Sequence, residues 1–499
     1  MKARFLLAVL GTILLLGLVG SIAGPAWDPE PLTEQLIVET DDVTISTAEP
    51  TAPVGTYETT TSDVEIELDG ASVTARLTAP VGAPDGQPGM LFMHGAGTAG
   101  HTNFTDQAQA LASAGVYVLV PAKRMDTYTT RSRDYEGMAR DYLVSWELLA
   151  STPGVDPERV GIYGESEGAW ISPIAAVLEP RVAFLVMVAA PVVPPREQGA
   201  FAMDNYLRNT HVPWPVFRAI PRATGAHIPG GGFEYVDFDV SPWQQQLTQP
   251  VLMVYGTGDT SMPLVQAPLQ VIDDMAVNGN DEYTLRYFAG ANHGIRIDGA
   301  LAPGFTDALA AWTLGLPATG SAEPRIAGDQ PEQTYEARAL PSPRWYANGD
   351  MLIWSVVASA LLLVIGPILW VLTALPRRRS GRRLPGPVAR HTAATGLAAL
   401  AVLVTFVAYC AQVADLALNY RTNDLVVLGG WIVVQAVGVL AATVLVHSVW
   451  TAKPFHPERW SKRDRRAGRS GVLLWWGTHL GALGLLLVAA YWGVYPAVV

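Results

Sequence analysis

The chain has 499 residues, 49% hydrophobic and 16% charged, with 33 basic against 45 acidic side chains and a formal net charge of -12. The signs are segregated: 14 Lys and Arg against 4 Asp and Glu from Met351 onward, 19 against 41 before it. An acidic front half excludes sequence-independent nucleic-acid binding, a single cysteine (Cys410) excludes a disulfide scaffold or thiolate metal cluster, and low charge with positive mean hydropathy excludes extensive disorder.

Lys2 and Arg4 precede an apolar run from Phe5 to Ala23, which enters a membrane with its start inside. The run exceeds the apolar core of about 7–15 residues in a secretory signal, so residues 1–25 read as an uncleaved anchor. Ser21-Ile22-Ala23 keeps a cleaved signal open. Residues 26–61 form a polar lead-in, and the alternation in Asp63–Leu68, the turn Asp69-Gly70 and the run Ser72–Leu77 predict a β-hairpin. Short apolar runs then alternate with helical patterns. Strands are predicted at Met90–Met93, Val116–Val120, Val160–Tyr163, Ala183–Val188, Val251–Tyr255 and Tyr283–Phe288. Helices are predicted at Asn103–Ala114, Tyr135–Ala150, from Glu167, and up to Met275. Strands separated by helices imply an α/β domain, here residues 62–314, with a mostly parallel sheet covered on both faces and its site beyond the carboxyl ends of the strands. An aromatic- and proline-rich insertion at 192–249, with Phe201, Tyr206, Trp214, Phe217, Phe233, Tyr235, Phe238 and Trp243, reads either as a lid or as a loop on the sheet edge. Residues 315–349, rich in Pro, Gly, Ala and Glu, read as a tether. Leu316-Pro317-Ala318-Thr319-Gly320 within them matches a sortase signal only by accident, since a genuine one is followed by one span and a basic tail.

Residues 350–499 hold four apolar stretches of about 20 residues or more, the length of a membrane-crossing helix: Met351–Leu375, Thr392–Leu418, Leu425–Trp450 and Gly471–Tyr495. The first connection carries Arg377, Arg378, Arg379, Arg382, Arg383 and Arg390, and the third carries Lys453, Arg459, Lys462, Arg463, Arg465, Arg466 and Arg469. The second, Asn419–Asp424, has only Arg421. The positive-inside rule places both basic loops in the cytosol and everything before residue 351 outside a plasma membrane. Gln412, Asp415, Gln435, His447 and His479 are scattered polar residues in the spans, too sparse for an ion pathway.

Gly164-Glu165-Ser166-Glu167-Gly168 lies between a strand and a helix, the setting in which a G-x-S-x-G serine sits on a strained corner with its hydroxyl exposed. A hydroxyl is a weak nucleophile and needs a base. Asp259 follows the strand ending at Tyr255 and His293 follows the strand ending at Phe288, in the order acid then histidine. Asp259 is expected to orient the imidazole, and His293 to take the proton from Ser166 and return it to the leaving group. Asp239, Asp273, Asp274 and Asp281 are worse placed as acids. His94-Gly95-Ala96-Gly97 follows a strand where an oxyanion-hole amide from Ala96 or Gly97 is expected to join that of Glu167; His94 and Gly95, with Gly164 and Gly168, support the turns.

These residues resemble the α/β-hydrolase superfamily from about Val64 to Leu314, closest to dienelactone-hydrolase-like and prolyl-oligopeptidase-like members. The resemblance implies an eight-stranded sheet and an acyl-enzyme mechanism. Glu on both sides of Ser166, and Ala169 in place of a second glycine, depart from the common pattern; the helix dipole favours Glu167. The expected function is a membrane-tethered serine hydrolase acting on a small-molecule ester or acyl substrate without metal or cofactor. A serine peptidase is the alternative within the enzymes, and a transport or sensor protein the alternative outside them.

Overall fold

The computed structural model describes residues 2–97, 100–129, 133–224, 238–374, 386–452 and 469–496. Of the predicted features, Phe233, Tyr235, Arg377, Arg378, Arg379, Arg382, Arg383, Lys453, Arg459, Lys462, Arg463, Arg465 and Arg466 lie outside these residues. The chain forms two compact units. One comprises Pro29–Ala202 and Tyr235–Ala339; the other comprises Met1–Asp28, Met203–Glu234 and Leu340–Val499.

The helical unit begins with α1 (Lys2–Ile22). The α/β unit then opens with the hairpin β1 (Glu58–Leu68) and β2 (Ala71–Val81), turning at Gly70, whose φ of +76° suits a residue without a Cβ. It continues through β3 (Gln87–Met93), α2 (Thr105–Ser113), β4 (Tyr117–Pro121), α3 (Tyr135–Ala150), β5 (Val155–Glu165), α4 (Gly168–Leu178), β6 (Leu185–Val188) and α5 (Pro195–Asn209). The 3-10 turn at Trp214–Arg218 and α6 (Ala219–Thr224) belong to the helical unit, and the α/β unit resumes with α7 (Ser241–Gln244), β7 (Val251–Gly256), α8 (Gln266–Val277), β8 (Tyr283–Phe288), the two-residue strands β9 (Arg296–Ile297) and β10 (Ala300–Leu301), α9 (Phe305–Gly315) and β11 (Ile326–Gly328). The start of α3 shows the local logic: Asp134 caps it by accepting the Gly137 N–H at 2.9 Å.

The main sheet runs β1-β2-β4-β3-β5-β6-β7-β8-β11, antiparallel as far as the β2–β4 pair and parallel thereafter. This is the α/β-hydrolase arrangement. The central strands β3, β6 and β7 are buried almost throughout, as continuous apolar runs between two helix layers require. The sheet has nine strands rather than the eight the resemblance implies. The ninth comes from the stretch read as a tether: Ile326–Gly328 pair with Leu285–Tyr287 of β8, satisfying an edge that would otherwise expose unpaired N–H and C=O groups. The lead-in covers the far side of that strand, with Glu39 N–H on Ile326 O at 3.1 Å and Gly328 N–H on Thr40 O at 2.8 Å. Within Leu316–Gly320, Thr319 and Gly320 are buried, with the Thr319 hydroxyl on Trp312 O at 2.5 Å, while Pro317 and Ala318 are exposed.

The helical unit also contains α10 (Gly349–Ala374), α11 (Gly386–Leu418), α12 (Gly430–Ala452, preceded by a π-helical turn at Leu425–Gly429) and α13 (Arg469–Tyr491). Among the described residues, Ala3–Ile22, Val388–Leu418, Leu425–Ala452 and Gly471–Tyr491 are long and apolar enough to cross a membrane. α11 starts six residues before the predicted span because Pro387 is tolerated in a first helical turn. α13 stops four residues early because Gly493, at φ +86°, closes it with Gly493 N–H on Ala490 O and Val494 N–H on Ala489 O. Of the polar residues in the spans, His479 is buried with its ring nitrogens on Trp475 O (2.7 Å) and Ser448 Oγ (2.8 Å), while Asp415 pairs with Arg421 at 2.6 Å.

The two ends of this unit differ. At one, Phe5 packs edge-on against His447 and Trp450, and His391 against His447. At the other, where α1 and α13 finish and α10 begins, residues 203–224 of the insertion are held. Trp27 Nε1 donates to Asp204 at 2.7 Å, His211 pairs with Asp424 at 3.2 Å, and Tyr206 meets Tyr420 edge-on. Of the aromatics in this part of the insertion, Tyr206 packs on Tyr420, while Trp214 and Phe217 stack on each other beside Arg208.

Candidate active site

β5 delivers Ser166 at its carboxyl end with φ +55°, a strained value for a residue with a Cβ. Ser166 N–H donates to Val188 O at 2.9 Å, which fixes the corner to β6. The glycines around it are steric requirements. A Cβ on Gly164 would lie 2.5 Å from Gly168 O, and one on Gly168 would lie 2.5 Å from Met93 O.

The loops that carry Asp259 and His293 are knit together. Thr257 N–H donates to Phe288 O (3.0 Å), Gly258 N–H to Ala291 O (2.9 Å) and Gly290 N–H to Thr257 Oγ1 (2.9 Å). A Cβ on Gly256 would lie 2.2 Å from Ala291 O, so this approach needs glycine there. Asn292 Oδ1 accepts from Gly294 N–H and Arg296 N–H, both at 3.1 Å, and shapes the turn that presents His293. His293 Nδ1 donates to Asp259 Oδ2 at 2.8 Å, while the other carboxylate oxygen accepts from Ser261 Oγ (2.6 Å) and Ser261 N–H (2.8 Å). Asp259 is buried and the His293 side chain is a third exposed. Ser166, Asp259 and His293 follow the carboxyl ends of β5, β7 and β8, which run parallel in one sheet with β6 between the first two, and so share one rim. The structure joins Asp259 to His293; among the described residues it places no hydrogen bond of 3.5 Å or less between Ser166 and His293, a contact that commonly tightens only with substrate bound.

Burial works against the Asp259 carboxylate, but the imidazole, its hydrogen bond and the two bonds from Ser261 more than offset it and hold the pKa below the usual range. For His293 burial likewise opposes the charged form, and the charge and hydrogen bond of Asp259, with a contribution from Glu165, raise the pKa above its ordinary value. Glu165 takes a hydrogen bond from Tyr163 Oη at 3.1 Å. Because His293 must be neutral to accept a proton, kcat/KM is expected to rise through a midpoint above the ordinary histidine value of about 6.5. In Glu165→Gln, which removes a negative charge favouring the imidazolium, the midpoint should move to lower pH; an unmoved acid limb would remove Glu165 from the imidazole's field.

Beyond β3, His94 is buried, with Nε2 donating to Pro121 O at 2.7 Å. Burial lowers its pKa to about 4, so it is neutral at pH 7 and holds β3 to the end of β4. The backbone N–H groups of Ala96 and Glu167 have no acceptor among the described residues, as donors for a developing oxyanion require. Gly97 differs, because its N–H donates to Tyr128 Oη at 3.4 Å. Glu167 is fully buried and does more than sit at the dipole of α4. Its carboxylate takes Lys123 Nζ at 2.7 Å, Arg133 Nη1 at 2.8 Å and Tyr128 Oη at 3.0 Å. Lys123, Tyr128 and Arg133 are not marked in the sequence, where Lys123 is followed by Arg124 and Asp126 and reads as part of a charged turn. Among the described residues no cluster of three or more His, Cys, Asp or Glu is placed to hold a metal ion.

No curated protein matches the chain. Three of the solved structures it resembles are Est1E from Butyrivibrio proteoclasticus (15% identity, 52% of this chain and 98% of that one, TM-score 0.36), a hyperthermophilic esterase from the archaeon Pyrobaculum calidifontis (15%, 52% and 86%, TM-score 0.38) and the dienelactone hydrolase-like promiscuous phosphotriesterase P91 from metagenomic libraries (15%, 51% and 95%, TM-score 0.34). In sequence, residues 102–315, which include Ser166, Asp259 and His293, match the model of the prolyl oligopeptidase family.

Proposed function

We propose that this chain is a serine hydrolase, tethered to a membrane with its α/β unit outside the cytosol, that cleaves ester-type acyl bonds through a covalent intermediate. The observation that carries the reading is the 2.8 Å bond from His293 to a buried Asp259, on the same sheet rim as a serine held at φ +55°. In this mechanism His293 Nε2 takes the hydroxyl proton as Ser166 Oγ attacks the carbonyl carbon. Ala96 and Glu167 N–H stabilise the oxyanion, and His293 returns the proton to the leaving alcohol. Water then repeats the sequence on the acyl-enzyme. The family match favours a second reading, peptidase activity, because the same groups cleave amides. The apolar helices and the asymmetry of basic residues support the bilayer as partner and the sidedness.

A membrane-impermeant fluorophosphonate applied to intact cells tests nucleophile and side together. Labelling is expected in the wild type and not in Ser166→Ala. Persistence in the variant would displace Ser166, and labelling only after lysis would reverse the topology. Turnover of short-chain esters by the purified protein is expected to exceed that of proline-containing peptides; turnover of peptides alone would replace the first reading by the second.

A further inference from the structure

The geometry points to Tyr128 and Lys123 as positioning residues that hold the two halves of the oxyanion site together, an inference that rests on the serine-hydrolase reading. The two N–H groups without an acceptor among the described residues belong to different segments: Ala96 to the loop after β3, Glu167 to the residue after Ser166. A hole built from separate segments stabilises a transition state only if their spacing is fixed in advance. The loop has glycine on both sides of Ala96 and so little stiffness of its own.

The stiffness comes from the Glu167 side chain. Lys123 Nζ donates to Glu167 Oε2 at 2.7 Å and to Gly95 O at 2.6 Å, joining the residue before Ala96 to the residue that carries the other donor. Tyr128 Oη donates to the same Oε2 at 3.0 Å and accepts the Gly97 N–H at 3.4 Å, joining the residue after Ala96 to the same carboxylate. Ala96 is thus held from both flanks by one buried carboxylate. Lys123 also lies 4.6 Å from the centre of the Tyr128 ring, so the two ties support each other. Burial lowers the Lys123 pKa, and the adjacent Glu167 opposes that shift. None of these side chains is needed as nucleophile, base or acid.

Lys123→Met would leave a buried carboxylate short of a cation and could fail to fold, so Tyr128→Phe carries the test: it removes one hydroxyl, keeps the ring over Lys123 and leaves Glu167 paired with Lys123 and Arg133. On p-nitrophenyl acetate, kcat is expected to fall about tenfold with KM within twofold, as for an interaction realised only in the transition state. The inhibition constant of a trifluoromethyl ketone, which forms a tetrahedral adduct with its oxygen in the hole, should weaken by the same factor as kcat/KM. A raised KM with unchanged kcat would make Tyr128 a substrate contact instead. Unchanged kinetics, or a loss of kcat without weaker ketone binding, would also overturn the inference. A wild-type protein in which Ser166 does not react with fluorophosphonate would overturn the underlying reading, whatever Tyr128→Phe does.

Discussion

His293→Ala is expected to lower kcat on an activated ester by about a million-fold, and Asp259→Asn by about ten-thousand-fold. The difference follows from the geometry. Removing the imidazole takes away the base proposed for the Ser166 hydroxyl. Asparagine keeps the shape of the acid, but Ser261 N–H and Oγ already donate to Oδ1, so the amide oxygen belongs on that side and the NH2 faces His293 Nδ1. That selects the wrong tautomer, with the proton on Nε2, the nitrogen required as base. The acid limb should move down as well, because the buried carboxylate's charge and hydrogen bond raise the His293 pKa. Steady-state kinetics with active-site titration measure this, and the double variant should be little worse than His293→Ala, since the groups act as one unit. An Asp259→Asn enzyme within tenfold of wild type would show that Asp259 is not the orienting acid.

What the sequence exposed was whatever local pattern reports. The G-x-S-x-G corner, the strands ahead of Asp259 and His293 and the long apolar helices each span consecutive residues whose periodicity or glycine content is visible without a partner. What it hid depends on distant partners. Ile326–Gly328 is too short to show alternation and becomes a strand only because the edge of β8 is there to pair with. Glu167 looked like a residue favoured by a helix dipole, and nothing adjacent announced that Lys123, Tyr128 and Arg133 converge on it from 34 to 44 positions away. Gly97 looked equal to Ala96 as an oxyanion donor until the Tyr128 hydroxyl took its N–H. The insertion posed the same difficulty: its aromatics fit a lid or an edge loop equally well by composition, and long-range packing places residues 203–224 within the helical unit.

That placement leads to the second large effect, at Arg222. A guanidinium carries five N–H donors in a fixed fork, and here it makes four bonds to main-chain carbonyls. Nε donates to Pro25 O (3.0 Å), Nη2 to Gly24 O (3.1 Å), and Nη1 to Gly20 O (3.0 Å) and Tyr491 O, with the plane 4.6 Å from the Tyr491 ring centre. Gly20 and Tyr491 lie in the last turns of α1 and α13, whose carbonyls point out of the helix ends and carry the negative pole of the dipole. Burial lowers the Arg222 pKa to about 10, so it remains charged at pH 7 and serves both ends at once. The two helices touch closely enough that a Cβ on Gly20 would lie 2.1 Å from Ala490 O, and small residues at such contacts are how membrane helices gain packing. Arg222→Met keeps most of the side-chain volume and strands several buried carbonyls, each costing about 1–3 kcal/mol when unpaired. With partial access of water to the helix ends, a loss of about 3 kcal/mol is expected, or a fall in Tm of about 6–12 °C for a unit of roughly 200 residues. Arg222→Lys keeps the charge, supplies fewer and less divergent donors, and should fall between the two. Thermal unfolding of the purified full chain in detergent measures this, and a Met variant melting within about 2 °C of wild type would show that α1 and α13 are held by apolar packing alone.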